Sequence, residues 1–298
     1  MNTIVIIGSG LDLDLGLKNS CLEFSKHYLC PMVGLDKWGD FENTLREEVI
    51  AWYKNGKDEQ TSKELNLQWQ TYVKNISWFF TKKSDVFLES KKCQKGRKFI
   101  RVKNTCAYRF LKQLKKKCKC KIYTFNYTNP YEYVNITQTK VFTHIHGEHY
   151  KDTFDKSPMV MSQGHYTIFG IDECLPKDGI NHSNIRPLVK KFHSRYKNTN
   201  LIADLSKVER VIFYGFSMGK TDYNIYFKEF FKSINDGYSR CKEIYYVTYN
   251  KKSFNDFLQN LKNNNPNTDN IASKVNIKSI YTGKGFKNRD FRMMLRKL

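Results

Sequence analysis

The sequence predicts an α/β protein built on a mostly parallel, doubly wound sheet with a helical insert. Three observations carry that expectation. Short apolar, β-branched runs recur along the chain and alternate with segments of helical periodicity. The first of these runs, residues 3–7 (TIVII), stops at once in GSG, as a buried strand entering a turn does. The next, residues 121–125 (KIYTF), follows only after a long stretch that reads as helix. One domain over 1–298, with an insert at about 38–118, is therefore expected.

After the first strand, a helix is expected from about Ser20 through His27. In FENTLREEVIAWYKN, Phe41, Leu45 and Val49 stand four apart and Trp52 three further on. That spacing puts all four on one helix face, with Asp40 as its N-cap. Residues 63–82 read as a second helix of the insert. Its aromatic stretch 69–80 (WQTYVKNISWFF) either packs inside the insert or offers a partner surface. SKKCQKGRK reads as a surface segment and 104–117 as another amphipathic helix. Further strands are expected at 141–145, 158–162, 210–214, 243–249 and 275–281, and helices at 186–197, 222–234, 252–263 and 288–297. The asparagine-rich stretch 263–270 reads as a surface loop.

Composition bounds the function. Apolar residues make up 40% of 298, enough for a packed core and too much for general disorder. No apolar run approaches the roughly 18–20 residues that span a bilayer, and MNTIVIIGSG lacks the basic start of a signal peptide. No membrane association and a cytoplasmic location are the expectation, with the 8 cysteines reduced. The formal charge is +22, but 40 of the 51 basic residues are Lys. That bias fits an AT-rich coding sequence, while Arg, the better reader of phosphates, is sparse. The densest cluster, 112–121 (KQLKKKCKCK), is either a solvated helix face or a docking site for an acidic partner, and it leaves nucleic acid open as a partner.

Four strand ends carry polar clusters. In IIGSGLDLDLGL, Gly8, Ser9 and Gly10 follow a strand as a nucleotide-binding turn would. Gly16, however, falls six after Gly10, where the common dinucleotide pattern wants three. Asp12 and Asp14 would repel phosphate unless they face ribose hydroxyls. Asn126 and Thr128 end the second strand in TFNYTNP, and Asn126 either meets a ligand or ties down the turn. In THIHGEH, strand alternation puts His144 and His146 on one face, with His149 near and Gly147 leaving room for a ligand. These imidazoles suit acid–base work, a metal or a structural role. No carboxylate ligand is identifiable beside them, so no metal is expected. In VIFYGFSMGKTDYNIYF, Gly215, Ser217, Gly219, Thr221 and Asp222 lie between a strand and a helix, as a ribose or phosphate loop or as ordinary caps. Parallel strands bring all four ends to one edge, which favours a small-molecule or nucleotide site.

IIGSGLDLDLGLKNS, WGDFENTL, TFNYTNP, THIHGE, IFGIDE and IFYGFSMGKTDYNIYF resemble, in order, the motifs of the AbiH family of bacteriophage abortive-infection proteins. That family in turn resembles sirtuin-like NAD-binding proteins, which implies a Rossmann-like fold. In those, an Asn and a His directly before Gly form the catalytic pair, and Asn126 and His146 match them. Gly8, Ser9 and Gly10 resemble the glycine-rich NAD loop, with Asp12, Thr128, His144 and Asp222 among the expected NAD contacts. Gly215 and Ser217 resemble the ribose loop. The chain departs in carrying Thr128 where sirtuins have Asp, in Asp12 and Asp14, and in lacking the paired-Cys zinc module. The resemblance implies an NAD glycohydrolase (a hydrolase with NAD as substrate) that causes abortive infection. It is expected to be silenced by homo-oligomerisation or an operon-encoded partner. A nucleotide sensor without hydrolysis and a metal-dependent nuclease or phosphohydrolase are the alternatives.

Overall fold

The computed structural model describes residues 2–17, 38–71, 75, 79, 102–117, 120–126, 128, 130, 142–145, 147–148, 166–167, 175–189, 192, 199–265, 267–285 and 288–298. The chain forms two compact units. One comprises Met1–Lys18, Ser84–Ile145 and Lys197–Leu298, the other Asn19–Lys83 and His146–Tyr196.

The described strands, in chain order, are β1 (Thr3–Ile7), β2 (Lys121–Thr124), β3 (Thr143–His144), β4 (Gly147–Glu148), β5 (Tyr166–Thr167), β6 (Arg210–Tyr214), β7 (Glu243–Thr248) and β8 (Asn276–Tyr281). In the first unit, six form an all-parallel sheet in the order β3-β2-β1-β6-β7-β8. This is a Rossmann-like α/β fold, in which β1 and β6 flank the point where strand order reverses. β1 and β6 are buried along their whole length, which is why each reads as one continuous run without alternation. β4 and β5 pair antiparallel in the second unit.

On one face of the sheet, Val5, Ile7 and Ile212 pack with Leu11 and Leu15, with Phe110, Leu111 and Leu114, and with Phe291 and Met294. These come from the helices Ser9–Leu15, Cys106–Lys117 and Arg289–Lys297. In the second unit, the helix Trp38–Lys54 and the segment after it hold residues 178–184. Tyr53 and Lys57 donate to Asp178 at 3.0 and 2.5 Å, and the Asn184 amide donates to Ser62 at 3.0 Å.

Several expectations change. Trp38–Lys54 starts ahead of Asp40, which therefore lies in the first turn and is not the N-cap. The glycine stretch after β1 is helical from Ser9, because Leu11 and Leu15 are four apart and buried. Gly16, at φ 95°, closes that helix in the left-handed region. Residues 186–188 form only a 3-10 turn. The expected loop 263–270 holds the end of helix Lys251–Asn264 and the start of Thr268–Lys274, because Thr268 is buried and bonds back to Asn265. Cys106 and Cys241 are free thiols, but Cys120 is disulfide-bonded. The expected elements at 20–27 and 158–162 lie outside the described residues.

The last helix is locked to the amino end of the sheet. Arg210 donates twice to Glu243 Oε2, at 2.8 and 2.7 Å, and to the Lys297 carbonyl at 2.9 Å. Lys297 donates to Glu243 Oε1 at 2.5 Å and to Tyr245 Oη at 2.8 Å. Burial alone would raise the Glu243 carboxyl, but the hydrogen bonds and charges of Lys297 and Arg210 outweigh it and hold the group down at about 2. A depressed carboxyl contributes stability above its unfolded value. That share should vanish as pH falls from about 4.5 through about 2. Melting curves across that window should show the loss in the native chain and a flatter profile in Glu243→Gln.

Candidate functional site

Because the sheet is parallel, the ends of β1, β2, β3 and β6 open on one edge. Gly8, Asn126, His144 and Gly215 sit there, one or two residues beyond those strands or at their last position.

The glycines serve each other first. Gly8 N–H donates to the Tyr214 carbonyl at 2.9 Å, and Gly10 N–H to the Gly215 carbonyl at 3.0 Å. A Cβ on Gly8 would lie 2.5 Å from the Gly215 oxygen, and one on Gly10 would lie 2.5 Å from Gly215 Cα. A Cβ on Gly215 would strike the Gly10 backbone, and Gly215 has φ +59°. Two loops from strands far apart in sequence thus touch through bare backbone. The Gly10 N–H expected at a pyrophosphate is bonded to protein. Ser9, half-buried, opens the helix beside it.

Asn126 and His144 are coupled. The Asn126 side chain is nearly buried and its Nδ2 donates to the Gly8 carbonyl at 3.0 Å, tying β2 to β1. Its backbone N–H donates to Thr124 Oγ1 at 3.1 Å. His144 Nδ1 lies 3.1 Å from the Asn126 carbonyl. A carbonyl only accepts, so Nδ1 carries a proton, and in the neutral tautomer the ring's lone pair then lies on Nε2. Phe142 meets the ring edge-on, at 6.2 Å between centroids. The pairing Thr124↔His144 sets this register.

The acidic residues after the glycines turn inward. Thr128 Oγ1 donates to Asp12 Oδ2, and both side chains are buried. Two positions at which the chain departs from the sirtuin-like pattern are therefore bonded to each other. Asp14 accepts from Tyr214 Oη and from the Ala107 N–H, both at 2.7 Å. It meets the start of helix Cys106–Lys117, where a carboxylate is favourable. Burial raises its carboxyl against the lowering effect of those two bonds. Burial, with the Asp14 charge second, pushes the Cys106 thiol up to about 12.

Beyond β6, Ser217 is exposed and its carbonyl accepts from Asn260 at 2.9 Å. Met218 is fully buried with φ 53°, a left-handed conformation that non-glycine residues seldom hold. Half-buried Asp222 ends the turn Lys220–Asp222, directly before a π-helical turn, Tyr223–Phe227. π turns recur at functional sites. Phe125 packs on Phe216, Tyr226 and Phe227 at 4.7–6.0 Å, an aromatic floor beneath this end of the sheet. His146 and His149 lie outside the described residues. Among the described residues, no three His, Cys, Asp or Glu side chains are placed to hold a metal ion. No helix among them is long and apolar enough to cross a membrane.

The sequence reading missed three features here: the carbonyl that orients His144, the Asp12–Thr128 pair and the strained Met218. A polar residue beside each strand end was visible, but the partners are set by strand register.

Fold and edge together define a class: a Rossmann-like α/β protein presenting amide, imidazole and hydroxyl groups at the carboxyl ends of its strands. The family model described as "Bacteriophage abortive infection AbiH" matches residues 4–246, and the chain belongs to that family. Its role accordingly lies in defence against phage by abortive infection. No curated protein and no solved structure matches the chain.

Proposed function

We propose that the chain is an antiphage effector that hydrolyses NAD to nicotinamide and ADP-ribose. The observation that supports this most is the coupling of Asn126 to His144 across β2 and β3, with the Asn126 side chain bonded to Gly8 after β1, a strand that flanks the strand-order reversal. With Nδ2 committed to Gly8, the Asn126 amide has Oδ1 to accept a ribose hydroxyl. An imidazole of the His144–His146 segment takes the proton of the attacking water, with His146 assigned that role by its motif. The leaving nicotinamide is cationic in NAD and departs neutral, so no strong general acid is required. The developing cation at the ribose resembles that of glycoside hydrolysis. Holding ribose and water in place supplies much of the rate. An effector of this kind must be silent before infection, which calls for self-assembly or an operon-encoded partner.

The test is incubation of the full chain with NAD, following free nicotinamide by chromatography, with and without extract of phage-infected cells to supply a trigger. Nicotinamide release that rises with protein concentration is the expected result. NAD left intact under both conditions overturns the enzyme reading. Saturable NAD binding without release of nicotinamide would instead mark a nucleotide sensor.

A further inference from the structure

We propose that the last helix, Arg289–Lys297, together with the helix Cys106–Lys117 beside it, forms a surface that binds the phosphate backbone of nucleic acid. Arg289, Arg292 and Arg296 are spaced three and four apart, so they share one helix face, and all three are exposed. Seven helical steps from Arg289 to Arg296 carry this row over about 10 Å. The coding bias that explains the lysines does not explain these. Three of the chain's 11 arginines fall within eight positions. Among the described residues, none of the three pairs with a carboxylate, although Asp290 stands between them as the one acid of the helix.

The neighbouring helix extends the charge. Gln113 Nε2 donates to the Leu295 carbonyl at 3.3 Å, so the two helices meet there. Lys112 and Arg296, each next in sequence to a residue of that contact, are both exposed. No Asp or Glu occurs between Glu89 and Glu132, so this helix brings no acid to oppose the row. The lock of Arg210, Glu243 and Lys297 fixes the last helix from beneath. Its arginines are thus presented on a rigid element. A forked guanidinium donates to two phosphate oxygens at once, which suits this partner better than a point charge. An anionic membrane fits less well. Surface-lying helices set bulky apolar residues against lipid, and here Met293 is the only large apolar side chain on the exposed face.

The surface is independent of the NAD reading, and its test uses no NAD. A fluorescent DNA duplex of mixed sequence is titrated with the full chain at several salt concentrations. The native chain should bind, and Arg289→Ala/Arg292→Ala/Arg296→Ala should bind at least tenfold more weakly. Its slope of log affinity against log salt should be shallower by about 2–3, the counterions of three phosphates. Lys251→Ala/Lys252→Ala/Lys262→Ala removes the same charge from exposed positions of another helix and should change little. Matching melting curves keep folding out of the comparison, since every substituted side chain is exposed. Equal weakening by both triple variants, no binding by the native chain, or binding to phosphatidylserine vesicles but not to the duplex would each overturn the proposal.

Discussion

Gly215→Ala is expected to lower the unfolding free energy by about 2–6 kcal/mol. Two independent costs add. An L residue held in the left-handed region costs about 1–3 kcal/mol. Forcing a methyl into a closed contact costs about 1–3 kcal/mol more. Here the neighbour is the backbone of Gly10 and Leu11, which cannot rotate aside as a side chain can. Gly16→Ala separates the two costs. Its φ of +95° carries conformational strain, but a Cβ there meets nothing within 4 Å. Urea denaturation of the two variants should place Gly215→Ala well below Gly16→Ala. Equal losses would mean that the loops after β1 and β6 do not meet as closely as described.

The second large effect is on turnover. His144→Asn, His144→Ala and Asn126→Ala should each reduce nicotinamide release by about 10²–10⁴-fold, the usual worth of a positioned acid–base group. The asparagine variant is the informative one. Its amide nitrogen sits near the place of Nδ1 and still donates to the Asn126 carbonyl, while nothing replaces Nε2. If His144 only braces the β2–β3 edge, His144→Asn keeps its activity and His144→Ala loses it. If the imidazole contributes its lone pair, both lose it alike. Asn126→Ala also strips the donor from the Gly8 carbonyl, a loss of about 1–3 kcal/mol for a buried group. Its activity therefore needs reading beside its melting temperature. His146→Ala, on the motif assignment, should match the strongest loss.

Local pattern carried much of the architecture. β1 and β6 were legible to the residue because burial on both faces demands an unbroken apolar run. β3 is only Thr143–His144, too short to bound from composition. The helix Ser9–Leu15 was hidden by its own punctuation. Gly8 and Gly10 look like a loop, and their real requirement, the approach of Gly215, comes from a residue some two hundred positions away. The same distance problem governs the site. Asn126 and His144 could be picked out as polar residues ending strands. That a carbonyl of one orients the ring of the other follows from the pairing Thr124↔His144, which no single segment encodes. Asp12 and Thr128 each looked anomalous alone and became intelligible only as a bonded pair.

The sheet order also sets a timetable for synthesis. Of the six strands of the sheet β1 leaves the ribosome first, yet it lies between β2 and β6, with Ile4 opposite Lys121 and Thr3 opposite Arg210. At about 5–20 residues per second, its second neighbour arrives roughly 10–40 s after it. Both hydrogen-bonding edges of TIVII stay open until β2 emerges, and the edge that β6 covers stays open for the whole interval. Slow, non-local closure of this kind makes the nascent chain prone to aggregation. The yield of folded protein should therefore depend on chaperones that shield the β1 stretch until β6 has emerged.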